Sequence, residues 1–130
     1  TSHGAYKFKS EPKLAIDRLE RIAQSVSIPL VLHGASAVPP EVLELAQRYG
    51  LKMEGAKGVP PASIVEAISH GIAKVNIDTD LRLAFTGRVR RILAESPEIF
   101  DPRKIMGAAR EGMKELVKAK MELFGSAGRA

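Results

Sequence analysis

Two short apolar runs punctuate the chain, and apolar residues recur at helical spacing before, between and after them. The runs are residues 28–32 and 73–77. An apolar run of this length favours a strand that is buried on both faces, as in a parallel sheet covered by helices. Residues 1–9 read as the end of a third strand followed by an irregular loop. The pattern therefore predicts an α/β fold.

Five helices are predicted around these strands, and proline, glycine and acidic residues mark their ends. They are expected from Ser10 to Ser25 with Pro12 in the first turn, from Val38 to Gly50, from Pro61 to His70, from Asp78, Thr79 or Asp80 to Pro97, and from Asp101 to Phe124. Helices between buried strands imply parallel strands joined by crossovers. Three strands make a poor free-standing sheet, and an eight-stranded barrel takes about 250 residues. We expect the carboxyl-terminal part of a larger domain.

Composition narrows the function classes. An apolar fraction of 45% predicts a globular chain, and no apolar run approaches the ~20 residues of a membrane span. The absence of cysteine excludes disulfides and thiolate metal sites and fits a cytoplasmic protein. The net charge of +5 comes from residues that alternate with acids, so nucleic-acid binding is not expected. The same charge suits an anionic substrate such as a sugar phosphate.

Two histidines and an asparagine mark the ends of the predicted strands. His3, His33 and Asn76 are separated by 30 and 43 residues, about the size of one βα unit. Each side chain alone could be structural: His3 an exposed terminal residue, His33 an ordinary strand end. The carboxyl ends of parallel strands, however, are where α/β proteins place their active sites. The two histidines and Asn76 are therefore candidate functional residues.

The motifs at these strand ends resemble a known family, the class II, metal-dependent fructose-1,6-bisphosphate aldolases. The matching segments are TSHGAYK (1–7), LVLHGAS (30–36), KVNIDTDLR (74–82), FDPR (100–103) and MELFGS (121–126). The resemblance covers the whole chain as the carboxyl-terminal part of the family's (β/α)8 TIM barrel, with an extra carboxyl-terminal helix. It implies that residues 1–130 are part of one barrel domain whose amino-terminal part is absent from this chain.

The resemblance implies a reversible cleavage of fructose 1,6-bisphosphate into dihydroxyacetone phosphate and glyceraldehyde 3-phosphate, in glycolysis and gluconeogenesis. It makes His3 and His33 two of three zinc ligands. The third histidine, the aspartate that serves as catalytic base and a further glutamate are expected outside this chain. Two histidines fit cobalt or iron as well as zinc. The family also suggests a monovalent cation beside the bound phosphate and a homodimer or homotetramer.

The resemblance assigns a phosphate site to residues that follow His3, His33 and Asn76. Its expected members are Gly4, Gly34, Ser36, Asp78 and Thr79, with Asn76 against the reacting part of the substrate. A hydroxyl and an amide at a helix amino terminus suit an anion. Lys120 is the candidate for a contact with the second phosphate from a neighbouring subunit. Asp80 is interpreted as a helix cap, and His70 as a capping residue rather than a ligand.

The sequence leaves two alternative functions open and disfavours a third. Tagatose 1,6-bisphosphate aldolase shares the site and differs at one sugar carbon, so these residues do not separate the two substrates. The chain alone could also be a non-catalytic sugar-phosphate-binding fragment that needs the remainder of the barrel for turnover. A helical interaction domain is disfavoured because residues 30–33 and 74–77 show no helical period.

Overall fold

Helices and short strands alternate along the chain. A computed structural model describes residues 12–53 and 58–129. The elements in order are α1 (Ile16–Ser25), β1 (Leu30–Leu32), α2 (Pro40–Arg48), α3 (Pro61–Ser69), β2 (Ile72–Val75), α4 (Thr79–Glu95) and α5 (Pro102–Leu123). This order agrees with the predicted α/β class.

The two strands pair in parallel, as the crossover argument predicts. Leu30 lies opposite Ile72 and Leu32 opposite Val75, with one irregularity in the register after Leu30. Helices α2 and α3 form the connection between the strands. The carboxyl ends of both strands therefore lie side by side at one edge of the sheet.

Proline and glycine set the ends of the helices much as predicted. Proline occupies the first position of α2, α3 and α5, where its missing N–H costs no hydrogen bond. Helix α3 is capped by His70, which confirms the interpretation of that residue as a capping residue. The N-cap of α4 is Asp78, one of the three predicted candidates.

The core lies where the loop after β1 meets α3 and the segment before it. Its buried members are Ala35, Ala37, Val59 and Ile64, and the partly buried Leu32, Val75 and Phe124 pack against it. Helix α4 packs between α2 and α5. The core thus supports the residues that follow β1.

Two expectations about these elements are wrong. Helix α1 begins at Ile16, so the buried Pro12 precedes the helix and does not lie in its first turn. Strand β1 is half-exposed, with Val31 47% accessible, rather than buried on both faces. Within the described residues the sheet has two strands, so too few elements lie against β1 to cover both of its faces. Within residues 12–53 and 58–129, no helix is long and apolar enough to span a membrane.

Candidate active-site edge

The parallel pairing brings His33 and Asn76 into contact. The backbone N–H of Asn76 donates to the Leu32 carbonyl at 2.9 Å, which extends the ladder beyond the assigned strands. The Asn76 amide Nδ2 lies 2.8 Å from Nε2 of His33 and 3.5 Å from Nδ1. Two residues predicted to share one site, 43 positions apart in the chain, therefore touch.

The contact has a direct consequence for the chemistry of His33. The imidazole is exposed, and in its neutral form it has one donor nitrogen and one acceptor nitrogen. A side-chain amide beside one ring nitrogen fixes the orientation of the ring, whichever way the amide group is turned. With the amide oxygen toward the ring, Nε2–H donates to it and Nδ1 keeps a lone pair for a metal ion. With the amide nitrogen toward the ring, Nε2 accepts and Nδ1–H can only donate, for example to a substrate.

Behind His33 the chain makes a turn with little room. Gly34 has a φ of +68°, a conformation that favours glycine, and Ser36 is only 2% accessible. The N–H of Val59 donates to the Ser36 carbonyl at 3.0 Å. A Cβ on Gly58 would lie 2.4 Å from the backbone nitrogen of Val38, so the segment beneath the turn has room only for glycine at this position.

The second strand end leads directly into α4. Asp78 is the N-cap but makes no capping hydrogen bond with its side chain. Its carboxylate instead accepts from Nε of Arg82, one turn later, at 2.7 Å, and both side chains are exposed. Thr79 is the first helical residue and is partly buried. The arrangement leaves the amino terminus of a 17-residue helix beside the His33–Asn76 pair.

Asp80 does not have the role that is predicted for it, and Lys120 makes its polar contacts inside the chain. Asp80 is not the cap of α4: its side chain is fully buried, and Oδ2 lies 2.7 Å from Nζ of Lys120. Lys120 is 5% accessible and also donates to the Ala37 carbonyl at 2.6 Å. Its ammonium is held inside the chain, so in this structure it is not available to a phosphate bound by another subunit.

The sequence of α5 contains a pattern that indicates the burial of Lys120. The buried residues of α5 are Ala109, Gly112, Leu116 and Lys120. They recur every three or four residues, which is the spacing of one helix face. A lysine that continues such a stripe is expected to point inward, and a buried lysine needs a charged partner.

The candidate metal ligands are described only in part. His3 and Gly4 lie outside the described residues. Within the described ranges no group of three or more histidine, cysteine, aspartate or glutamate side chains could hold a metal ion. His70 is 3.0 Å from Glu20 and belongs to a different surface. Among the described residues His33 could supply one ligand to a metal ion, and the other ligands would have to come from residues outside the described ranges.

Comparison with known proteins agrees with the motifs at this edge. The family model for class II fructose-bisphosphate aldolase matches residues 1–129. Proteins named fructose-bisphosphate aldolase from Thermus caldophilus, Giardia intestinalis and Helicobacter pylori are 58%, 51% and 48% identical over 99–100% of this chain. The chain spans 41–43% of the length of these relatives. The chain thus belongs to the class II fructose-bisphosphate aldolase family.

Proposed function

We propose that this chain is the carboxyl-terminal part of a (β/α)8-barrel aldolase that cleaves fructose 1,6-bisphosphate reversibly. The observation that carries the proposal is the contact of His33 with Asn76 at the carboxyl edge of two parallel strands. Active sites of barrels lie at this edge. The family match and the names of the relatives support the substrate and the reaction.

In this proposal His33 and His3 hold a zinc ion together with a histidine from the remainder of the barrel. Zinc supplies Lewis acidity at the substrate ketone when it is bound. Asn76 orients the imidazole of His33 and donates a hydrogen bond to an oxygen at the reacting end of the substrate. The catalytic base comes from the remainder of the barrel.

The phosphate of the dihydroxyacetone half binds between the two strand ends. The backbone amide of Gly34 and the hydroxyl of Ser36 bind it from one side, and Thr79 binds it from the other, where the helix dipole of α4 favours an anion. The amide of Gly4, which lies outside the described residues, is a further expected contact. Asp78, whose charge is balanced by Arg82, contacts the bound sugar phosphate, and carbonyl oxygens nearby hold a monovalent cation. The whole protein works in the cytoplasm as a homodimer or homotetramer.

The test compares two histidine-to-alanine variants of the full-length enzyme. We expect His33→Ala to lower the rate of fructose 1,6-bisphosphate cleavage by about a hundredfold or more and to lower the zinc content after dialysis. His70→Ala is the matched control, because His70 pairs with Glu20 on another surface. Zinc content is read by elemental mass spectrometry. A His33→Ala enzyme with normal turnover and normal zinc content would refute the proposal.

A further inference from the structure

One ammonium group joins two segments that are distant in the chain. Nζ of Lys120, in the last turns of α5, lies 2.7 Å from Oδ2 of Asp80 and 2.6 Å from the carbonyl oxygen of Ala37. The side chains of Lys120 and Asp80 are 6% and 0% accessible. The contact with Asp80 is an ion pair without hydrogen-bond geometry, and neither carboxylate oxygen accepts a hydrogen bond within the described residues.

Such a pair is not an efficient way to stabilise a fold. Two charges lose their hydration when they are buried, and apolar side chains of similar volume often stabilise the same place as well or better. Among the described residues the buried polar or charged ones are Ser36, Asp80 and Lys120. All three lie at or directly beneath the candidate site, so the polar burial is concentrated there rather than spread through the core.

The two anchors of Lys120 are each one residue beyond a proposed phosphate contact. Ala37 follows Ser36, and Asp80 follows Thr79. We propose that Lys120 is a positioning residue, which with Asp80 holds the Ser36 and Thr79 segments at the separation that one phosphate group requires. This inference rests on the proposed function, because it assumes that the two segments bind the same phosphate.

The proposal predicts a specific change in the kinetic constants. Loss of Lys120 lets the two segments move apart, which weakens phosphate binding but leaves His33 and its contact with Asn76 in place. A variant should therefore change KM far more than kcat, and zinc content should not change. A role in stability alone would lower the melting temperature without moving KM of the folded enzyme.

The experiment compares three single variants of the full-length enzyme. We expect Lys120→Met to raise KM for fructose 1,6-bisphosphate about tenfold or more with kcat within about threefold, since weaker hydrogen bonds to a charged phosphate reduce substrate affinity. Lys120→Arg keeps the charge and should restore most of the affinity. Lys118→Met is the matched control, with the same substitution on an exposed position of the same helix. Unchanged KM in a folded Lys120→Met enzyme would overturn the proposal.

A double variant covers the case in which Lys120→Met does not fold. The double change Asp80→Leu with Lys120→Met removes both charges and leaves no buried charge unpaired. A folded double variant with raised KM supports the positioning role, and one with wild-type KM overturns it.

Calorimetric titration with inorganic phosphate separates this inference from the proposed function. If the wild-type enzyme does not cleave fructose 1,6-bisphosphate, the proposed function fails. Weaker phosphate binding by Lys120→Met than by Lys118→Met would then still support the positioning role. Equal binding by the two variants, or no binding by the wild-type protein, would overturn it.

Discussion

Gly58 supports the turn after His33 because it has no side chain. A Cβ at this position would lie 2.4 Å from the Val38 nitrogen and 2.8 Å from the Ser36 carbonyl oxygen. Both atoms belong to the backbone, so neither can rotate away. Space beneath the turn is thus as important for the proposed phosphate site as the residues that line it.

We therefore expect Gly58→Ala to lower the stability of the full-length enzyme by about 1–3 kcal/mol, the usual cost of overpacking. KM should rise as well, because the Ser36 segment must shift. Gly107→Ala is the control: Gly107 lies within α5 and a Cβ there meets nothing within 4 Å. That change should be neutral or stabilising by up to about 1 kcal/mol. Equal thermal melting of the two variants would contradict the expectation.

Single residues differ in how far the sequence alone reveals them. His33 was predictable because it ends an apolar run and precedes glycine. For Lys120 the resemblance suggests a phosphate contact with a neighbouring subunit, whereas the stripe that it shares with Leu116 indicates a side chain that points inward. The tight contact of Gly58 with Val38 was not predictable, since it depends on how two loops meet in space.

Helix α5 begins with a charged cap that should respond to acid. Asp101 accepts from the Arg103 backbone N–H at 2.9 Å, and the Arg103 guanidinium donates to both carboxylate oxygens at 2.7–3.1 Å. The side-chain hydrogen bond from Arg103, followed by the backbone one, lowers the pKa of Asp101. Protonation of Asp101 is thus harder in the folded protein than in the unfolded chain.

The sign of the pH effect follows from that direction. Because the pKa of Asp101 is lowered in the folded state, its ionised carboxylate stabilises the folded protein at pH values above the ordinary aspartate pKa. This stabilisation is lost as pH falls through the pKa of the folded state. Asp101→Asn should therefore lower the melting temperature of the full-length enzyme near neutral pH. The gap to wild type should close as pH falls below about 4, near the reference aspartate value. A gap that stays constant across acid titration would contradict this assignment.

The ends of helices were more predictable than the lengths of strands. Proline and glycine act locally, so the starts of α2, α3 and α5 could be inferred from the sequence. Strands β1 and β2 are shorter than the apolar runs that predict them, because strand length depends on hydrogen-bonding partners elsewhere. Pro12 does not mark the start of α1: it is buried ahead of the helix, and its burial depends on tertiary packing that local rules do not include.

The described part of the molecule exposes apolar surface that a self-sufficient domain would cover. Ile28, Val31, Leu93 and Phe100 are 68%, 47%, 51% and 91% accessible. The two-stranded sheet of the described residues also leaves backbone groups on its outer edges. These features fit the proposal that further strands and helices of a barrel complete the domain.

We accordingly expect the isolated 130-residue chain to associate with itself in solution. Exposed sheet edges and apolar patches both promote such association. Size-exclusion chromatography with light scattering measures it, and the full-length enzyme serves as the control with a discrete mass. A monodisperse monomer of the isolated chain with one cooperative melting transition would contradict this view.

The parallel crossover between β1 and β2 also bears on the order of folding events. His33 and Asn76 meet only after a segment of 43 residues has closed, and that segment contains both α2 and α3. Loop closure of this length is entropically costly and slows the contacts that depend on it. We therefore expect this edge to assemble after the local helices, so that His33 and Asn76 meet only once the elements between them have formed.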